Sequence, residues 1–337
     1  MKRFLIIQTA FIGDVILATV IIEKLHAFYP DAEIDFLVRK GNGQLLKGHP
    51  HLHQVLVWKK QQNKYGNLLR LVHLVRRKQY DVVVNVQRFF ASGMLTALSG
   101  AKTTIGFAKN PWSPFFSHKI GHRLKGQHET SRNLSLVTDL TDKKWVAPKL
   151  YPRKQDYASI SKYQVLPYLC MAPTSVWQTK EWPAVKWVEL ILAQDDEWII
   201  YLLGGPNDYD ACQEIVEMSE RKNLINLAGK LNFLESAALM QKAAMNYVND
   251  SAPMHMASST NAPTNAIFCS TIPSFGFGPL GKGSKIIETE EKLACRPCGL
   301  HGKKKCPLDH FNCAYTIKKN QFDLLPYPKG MNKEMEA

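Results

Sequence analysis

The sequence predicts an α/β protein with two domains, and three observations lead to this prediction. Short apolar segments of strand length alternate with segments of helical periodicity. The alternation fades over residues 141–163, where prolines and basic residues accumulate, and then restarts. The 337 residues, 45% of them hydrophobic, suffice for two ordinary cores. We therefore expect an N-terminal domain over 1–150 and a C-terminal domain over 151–337, with a linker near 141–163.

The N-terminal half opens as strand, turn and helix. Arg3–Gln8 is an apolar run with the length of a buried parallel strand, and Thr9–Gly13 is a turn. Asp14–Tyr29 is apolar at helical spacing, and Pro30 ends it. By the same criteria, the remaining elements are strands at 33–38, 55–58 and 81–86 and a basic amphipathic helix at 67–78.

The C-terminal half repeats the alternation. Its predicted strands are 166–171, 198–203, 224–227, 246–248 and 264–268, and its predicted helices include 185–193 and 209–219. Strands that alternate with helices favour parallel pairing with crossover connections. We therefore expect a parallel sheet in each domain.

Charge is distributed unevenly between the two halves. Residues 1–150 carry 23 Lys and Arg against 9 Asp and Glu, whereas residues 151–337 carry 20 of each kind. A basic domain attracts anionic partners, which leaves nucleic acid, an anionic membrane surface and a phosphorylated substrate open. The chain contains no uncharged apolar stretch long enough to span a membrane, and its first apolar run lacks a signal-peptide cleavage site. We expect a cytosolic protein.

Two loops that follow predicted strands carry polar groups suited to catalysis or phosphate binding. Asp14 stands where a helix begins, so it is either an N-terminal cap or a general base beside a cleft. Thr174, Ser175 and Lys180 lie in a strand-to-helix loop and suit a phosphate ligand, although many surface loops contain the same residue types.

A third loop combines an acid, a helix start and a histidine. Pro253 fits the first turn of a helix, so the backbone N–H groups after Ser251 would face an anion such as a diphosphate. Asp250 and His255 stand on either side of this turn. The alternative is that Asp250 caps the helix and His255 is a core histidine with satisfied hydrogen bonds.

Taken together, these segments resemble glycosyltransferase family 9, the ADP-heptose:lipopolysaccharide heptosyltransferases. The resemblance runs from Arg3 to about Ile317 and includes further echoes at residues 29–39, 80–87, 105–107, 128–132, 226–230 and 275–279. It implies the GT-B type of α/β fold, in which two Rossmann-like domains face a cleft. The acceptor is then expected on the N-terminal domain and the nucleotide sugar on the C-terminal domain, in agreement with the charge distribution.

The resemblance also implies roles for individual residues in an inverting, metal-independent transfer. Asp14 matches the general base, and Lys180 matches the lysine that neutralises the diphosphate as it leaves. Thr174 and Ser175 match hydroxyl ligands of the phosphates, and Asp250 matches the acid that binds hydroxyls of the donor sugar. The amides of Ser251, Ala252 and Met254 would receive the diphosphate, and His255 matches a family histidine whose role stays open. Ala252 stands where the family usually has glycine, a position that would be strained if it required a positive φ.

The implied partners are ADP-heptose and the inner core of lipopolysaccharide, whose phosphates and acidic sugars would meet the basic domain. We expect transient docking on the inner face of the cytoplasmic membrane through the basic helix at 67–78 with Lys59, Lys60 and Lys64, unless this charge run is only a solvated face. Two alternatives remain: another nucleotide sugar on the same fold, and a basic nucleic-acid-binding protein. The second lacks any recognisable nucleic-acid motif.

Four of the seven cysteines are concentrated near the C-terminus, at Cys295, Cys298, Cys306 and Cys313. Four thiolates at this spacing could hold a structural zinc ion, although the second pair is wider than the usual C-x2-4-C. The alternative is thiols, reduced or paired, without metal. No other cofactor is expected.

Overall fold

The computed structural model describes residues 1–59, 64–123 and 126–328. The chain divides into two compact units, Met1–Tyr151 and Pro152–Ala337. Lys154–Ile160, inside the segment that the sequence marks as a linker, form a helix that packs in the second unit. None of the helices in the described ranges is both long and apolar enough to cross a membrane.

Unit 1 alternates strands and helices as predicted. In chain order its elements are β1 (Arg3–Ile7), α1 (Ile12–Phe28), β2 (Glu33–Arg39), β3 (Gln54–Trp58), α2 (Lys64–Arg77), β4 (Val82–Asn85), α3 (Phe90–Ala97), β5 (Thr103–Phe107), β6 (His118–Ile120) and α4 (Glu129–Ser135). All neighbouring strands pair in parallel, in the order β3-β2-β1-β4-β5-β6. The strands β1 and β4 are apolar on both faces because helices cover both sides of the sheet.

Helix α1 is apolar around its circumference, and residues from Val15 to Ile22 are buried. A helix of this kind belongs inside a protein rather than on its surface. It packs against α4, where Asn133 donates a hydrogen bond to the backbone oxygen of Leu17 at 3.2 Å. The helix begins at Ile12, two residues before the predicted start, so Asp14 lies within its first turn.

Unit 2 has the same plan. Its elements are α5 (Lys154–Ile160), β7 (Tyr168–Ala172), α6 (Ala184–Leu192), β8 (Ile199–Leu202), α7 (Tyr209–Ser219), β9 (Leu224–Asn226), α8 (Phe233–Lys242), β10 (Asn246–Asn249), α9 (Ala252–Ser259), β11 (Thr264–Phe268), β12 (Lys285–Glu288) and α10 (Asn312–Tyr315). The sheet is parallel throughout, in the order β12-β11-β10-β7-β8-β9. The predicted α/β class is therefore confirmed in both units.

Strand order places one switch point in each sheet. In unit 1 the order reverses between β1 and β4, and in unit 2 between β7 and β10. The loops at the carboxyl ends of such a strand pair diverge to opposite faces of the sheet, so a crevice opens between them. Ligands of open α/β sheets bind in this crevice, and the loops after these four strands are therefore the candidate binding loops.

Candidate functional site

The candidate donor site lies at the switch point of unit 2. Ala172, the last residue of β7, is followed by the loop that contains Thr174, Ser175 and Lys180. Asn249, the last residue of β10, is followed by Asp250 and helix α9. Because β7 and β10 are adjacent and parallel, the two predicted groups of donor-binding residues emerge side by side.

Lys180 and Asp250 are in direct contact. Lys180 Nζ lies 2.7 Å from Asp250 Oδ2, and the Thr271 hydroxyl donates a hydrogen bond to the same oxygen at 2.7 Å. Asp250 is 4% exposed, so its carboxylate depends on these partners rather than on water. Thr271 follows β11, at the same edge of the sheet, and sequence reasoning missed it.

Helix α9 begins as predicted, with Pro253 in its first turn. The hydroxyl of Ser251 is buried and has no hydrogen-bond partner in the described part of the chain. The Met254 amide donates to the Ser251 carbonyl at 3.1 Å, so this amide is already paired, contrary to the expectation that it receives the diphosphate. The amides of Ser251 and Ala252 remain the predicted diphosphate donors.

Ala252 is accommodated without backbone strain. It is the first residue of α9 and is absent from the residues with positive φ. A side chain at this position therefore has no conformational cost, although the family usually has glycine here.

Two residues that sequence reasoning missed fix the loop that carries Lys180. The Asn249 side chain donates to the Pro173 carbonyl at 2.6 Å and accepts the Trp182 amide at 3.1 Å. Glu181 accepts the Ser175 amide at 2.7 Å, and burial raises the pKa of its carboxyl above the usual range. These bonds hold both ends of the loop, so Thr174, Ser175 and Lys180 are positioned by the scaffold.

His255 lies on α9 and is 6% exposed. Its ring is 6.3 Å from the ring of Phe277, at an interplanar angle of 61°. This packing agrees with a core histidine, and it also keeps the ring one turn from the start of the helix. Both interpretations of His255 stay open.

The cysteine-containing segment packs directly on the loop that carries Lys180. The Lys303 amide donates to Thr179 Oγ1 at 2.7 Å, and the Thr179 amide donates to the Lys303 carbonyl at 3.1 Å. Gly302 has a φ of +75°, and a Cβ there would lie 3.0 Å from Lys180 Cγ. The segment is therefore a wall of the candidate donor site.

The thiols of this segment are free, and two of them contact other groups of the same segment. Cys295 Sγ lies 3.9 Å from His310 Nε2, and Cys298 Sγ contacts the Cys295 carbonyl at 3.4 Å. Burial and the neighbouring thiols raise the pKa of Cys313 to about 12. In the described residues, no group of three or more His, Cys, Asp or Glu is arranged to hold a metal ion. Both alternatives, zinc bound by Cys295, Cys298, Cys306 and Cys313 and thiols without metal, stay open.

The candidate base lies at the switch point of unit 1. Asp14 Oδ2 accepts the Phe11 amide at 3.1 Å, so the carboxylate caps the start of α1 and is held in place by this bond. Thr9, which follows β1, donates to Gln87 Oε1 at 2.5 Å, and Gln87 follows the neighbouring strand β4. The capping role of Asp14 is thus observed, and its role as a base stays a prediction.

The basic helix that the sequence proposes for membrane docking is α2. Arg70, Arg76 and Arg77 are exposed on it, and Lys59 lies before it. Lys78 does not belong to this exposed set, because its ammonium group lies 2.9 Å from the buried carboxylate of Asp35. Lys60 and the Lys64 side chain lie outside the described residues.

These arrangements suit transfer of a group from an anionic leaving group. Lys180, the start of α9 and the hydroxyls of Thr174 and Ser175 provide positive charge and donors for phosphate oxygens. Asp250 provides an acceptor for hydroxyl groups. Asp14 provides a carboxylate of fixed orientation at the switch point of the other unit.

Comparison with known proteins agrees with this chemistry. The family described as Glycosyltransferase family 9 (heptosyltransferase) matches residues 68–308. Lipopolysaccharide heptosyltransferase 3 of Escherichia coli is 29% identical over 283 residues, covering 77% of this chain and 82% of that protein.

Solved structures share the fold. A glycosyltransferase family 9 protein from Veillonella parvula has a TM-score of 0.77 at 23% identity and covers 86% of both chains. The ADP-heptose lipopolysaccharide heptosyltransferase II of E. coli has a TM-score of 0.74 at 20% identity, covering 88% of this chain and 96% of that chain. The GT-B class expected from the resemblance is thereby confirmed. The protein is a glycosyltransferase and belongs to family 9.

Proposed function

We propose that this protein moves heptose from ADP-heptose onto the inner core of lipopolysaccharide, with inversion at the anomeric carbon and without a metal ion. The observation that carries the proposal is the contact between Lys180 and Asp250 at the switch point of unit 2, beside the start of α9. The two E. coli heptosyltransferases named above support the same acceptor, and the second also supports the same donor.

The donor half of the reaction follows from the groups at this switch point. The bond between the anomeric carbon and the phosphate oxygen breaks, and its electron pair stays on the oxygen of the departing ADP. Lys180 stabilises the charge that grows there, and the amides of Ser251 and Ala252 bind the diphosphate. Asp250 accepts hydroxyl groups of the heptose, and Thr271 orients its carboxylate.

The acceptor half uses Asp14 as the general base. Its carboxylate takes the proton from the acceptor hydroxyl while the hydroxyl oxygen forms the new bond to the anomeric carbon from the opposite face. The hydrogen bond from the Phe11 amide fixes the orientation of this carboxylate, so that a single side chain both caps α1 and positions the base.

The proposed acceptor is polyanionic and membrane-anchored. This explains why the basic residues of the chain are concentrated in one of its two halves. The excess of Lys and Arg in residues 1–150 would concentrate such an acceptor on unit 1. In this proposal the protein is cytoplasmic and docks transiently on the inner face of the cytoplasmic membrane, and the exposed arginines of α2 contribute attraction to anionic lipid.

ADP release from ADP-heptose, with a heptose-deficient lipopolysaccharide acceptor, tests the proposal. Asp14→Asn keeps an oxygen for the Phe11 amide but cannot accept the proton, so we expect release to fall by about 10²–10⁴-fold without loss of stability. Glu235→Gln is the matched control, because Glu235 accepts the Asn232 amide at 2.8 Å in the same helix position of α8. Lys180→Ala tests the donor side.

The outcomes separate the alternatives. Acceptor-dependent release that is lost in Asp14→Asn and Lys180→Ala supports the proposal, whereas full activity of Asp14→Asn removes Asp14 as the base. If a nucleoside diphosphate is released only from another nucleotide sugar, that sugar is the donor. Absence of release with every donor overturns the proposal. Tight binding to oligonucleotides at physiological salt would instead favour the nucleic-acid alternative.

A further inference from the structure

Unit 1 exposes three phenylalanine side chains beside a half-buried tryptophan, on one surface that no step of the proposed reaction uses. We call this the aromatic surface: Phe89, Phe90, Trp112 and Phe115. Phe89, Phe90 and Phe115 are 67%, 58% and 69% exposed. The residues belong to the loops after β4 and β5, at the carboxyl edge of the sheet that also carries Asp14.

Three of these rings, those of Phe90, Trp112 and Phe115, form a continuous layer. The Trp112 ring lies 5.5 Å from the ring of Phe90 and 5.5 Å from the ring of Phe115, measured between centroids. Phe89 precedes Phe90 at the start of α3. A contiguous exposed aromatic patch of this kind is uncommon on a monomer and marks an interaction site.

A buried asparagine holds the two loops together beneath the rings. The Asn110 side chain donates to the carbonyls of Gln87 and Phe89, at 3.0 and 3.2 Å, and accepts the Trp112 amide at 2.9 Å. Gly93 on α3 makes room for it, since a Cβ there would lie 2.0 Å from Asn110 Oδ1. The aromatic surface is therefore fixed by the fold rather than presented by a loose loop.

Cations flank the aromatic surface, and acidic residues are missing from the segment that forms it. Residues 82–128 contain six Lys and Arg and no Asp or Glu. Arg88 precedes Phe89, and Lys109 is exposed three residues before Trp112. Burial, with smaller contributions from Arg88, Arg132 and Lys109, lowers the pKa of His122 to about 4.

This combination fits the interfacial region of an anionic bilayer. Aromatic rings partition to the boundary between headgroups and acyl chains, and neighbouring cations pair with lipid phosphates. Electrostatic attraction alone would be screened by salt, whereas an inserted aromatic layer retains its affinity.

We propose that the aromatic surface inserts into the interfacial region of an anionic lipid bilayer, with Arg88 and Lys109 on the headgroup phosphates. The proposal rests on the proposed function, which supplies a membrane-anchored acceptor. It adds a hydrophobic anchor on the sheet edge that carries the candidate base, in addition to the electrostatic contact through α2.

Co-sedimentation with vesicles of phosphatidylcholine and phosphatidylglycerol tests the proposal. We expect binding to anionic vesicles that persists in about 1 M salt, where the screening length falls to about 3 Å. Phe89→Ser combined with Phe115→Ser should lower the partition coefficient by about tenfold or more, because the transfer energy of each ring is lost. Val165→Ser combined with Leu192→Ser is the matched control, since these residues of unit 2 are 61% and 57% exposed.

A second measurement does not depend on those variants. Vesicles with brominated acyl chains should quench part of the fluorescence of the seven tryptophans, and Trp112→Phe should remove the quenched part. Salt-sensitive binding that the double serine variant retains would overturn the insertion, as would absence of quenching. A dimer in solution that dissociates in the double serine variant would assign the surface to contact with a second copy of the chain. This result would also overturn the insertion.

Activity on a deacylated, water-soluble acceptor separates this inference from the proposed function. Phe115→Ser, which follows β5 and lies outside the candidate binding loops, should keep full turnover with that acceptor and lower turnover on acceptor embedded in vesicles. Vesicle binding without any transferase activity would leave the insertion standing and overturn the proposed function alone.

Discussion

Lys180 Nζ lies 2.7 Å from Asp250 Oδ2, although the two residues are 70 positions apart. Their loops follow β7 and β10, which the strand order makes neighbours at the point where the sheet reverses direction. Lys180 is 15% exposed and Asp250 6% by their side chains, so the pair is largely removed from water. The charge at this site is therefore balanced within the protein, and a change to one partner affects both stability and chemistry.

The first prediction separates these two effects. Lys180→Met leaves the Asp250 carboxylate buried without its cation, which should lower the free energy of unfolding by about 1–3 kcal/mol. The same change should lower kcat/KM by about 10²–10³-fold, because the charge on the leaving group is no longer stabilised. Adding Asp250→Asn removes the unpaired charge, so urea unfolding should show recovered stability while ADP release stays low. A double variant as unstable as Lys180→Met would contradict this account.

The second prediction concerns Thr271. Thr271→Val removes the hydroxyl that donates to Asp250 Oδ2 and leaves the shape of the side chain almost unchanged. We expect the KM for the donor to rise by about threefold to tenfold, as for loss of one hydrogen bond to a charged group. Thr264→Val, at the opposite end of β11, is the matched control and should leave the KM unchanged. An equal effect of both variants on KM would show that Thr271 acts only through stability.

The third prediction uses two glycines of the cysteine-containing segment. Gly302→Ala would bring a Cβ to 3.0 Å from Lys180 Cγ and Thr179 Oγ1 at a φ of +75°. Gly299→Ala imposes a similar backbone cost at a φ of +84° but meets nothing within 4 Å. Both should lose about 1–2 kcal/mol of stability, and only Gly302→Ala should also lower kcat/KM. Steady-state kinetics, with the concentration of folded protein matched, distinguish the two variants. An equal fall of kcat/KM in both would exclude crowding of Lys180 as the cause.

The sequence predicts site residues that share one loop, but it does not predict contacts between loops that are far apart along the chain. The loops with Thr174 to Lys180 and with Asp250 to His255 are readable because each follows an apolar strand and precedes a helix. Thr271 was not predicted, because its contact with Asp250 depends on the pairing of β11 with β10. The hydrophobic periodicity of a strand does not show which strand it pairs with. Asn249 was missed for the same reason, since its partners Pro173 and Trp182 lie on the neighbouring loop.

The differences in the elements have local causes. Helix α1 starts at Ile12 rather than Asp14 because the Asp14 side chain caps the Phe11 amide from within the first turn. Strand β12 has two exposed residues and lies at the edge of the sheet, so its pattern lacks the continuous apolar run of the central strands. The sequence pattern places Lys78 on the polar side of its helix, which predicts an exposed side chain. In the structure its ammonium group instead pairs with the buried carboxylate of Asp35.

The fourth prediction addresses the cysteines. Burial raises the pKa of the Cys298 and Cys313 thiols in the metal-free protein, whereas a bound zinc ion would deprotonate them. In the described residues, the groups around these thiols do not form a set of three or more metal ligands. We expect reduced, denatured protein to titrate seven thiols and purified protein to lack stoichiometric zinc. One zinc per chain, lost together with stability in Cys298→Ser, would instead establish the structural metal site.

The last prediction concerns acid stability, which depends on a buried histidine in unit 1. Burial, with smaller contributions from His51, His26 and Lys149, lowers the pKa of His49 to about 3 from an ordinary value of 6.5. Glu23 lies 3.5 Å from His49 Nε2 but does not reverse this shift. Its carboxylate is already held by the hydroxyl of Tyr151 at 2.9 Å and by Lys149 at 3.4 Å.

The sign of the effect follows from linkage. The unfolded chain binds a proton on His49 below about pH 6.5, whereas the folded chain excludes it until about pH 3. The stability that the neutral ring contributes is therefore complete above pH 6.5 and is lost as the pH falls toward 3. His49→Gln should flatten the pH dependence of Tm in this window, while the exposed His118→Gln should leave it unchanged. If the two variants give parallel curves, another group controls acid unfolding, and the cluster around His49 only packs the sheet against Tyr151.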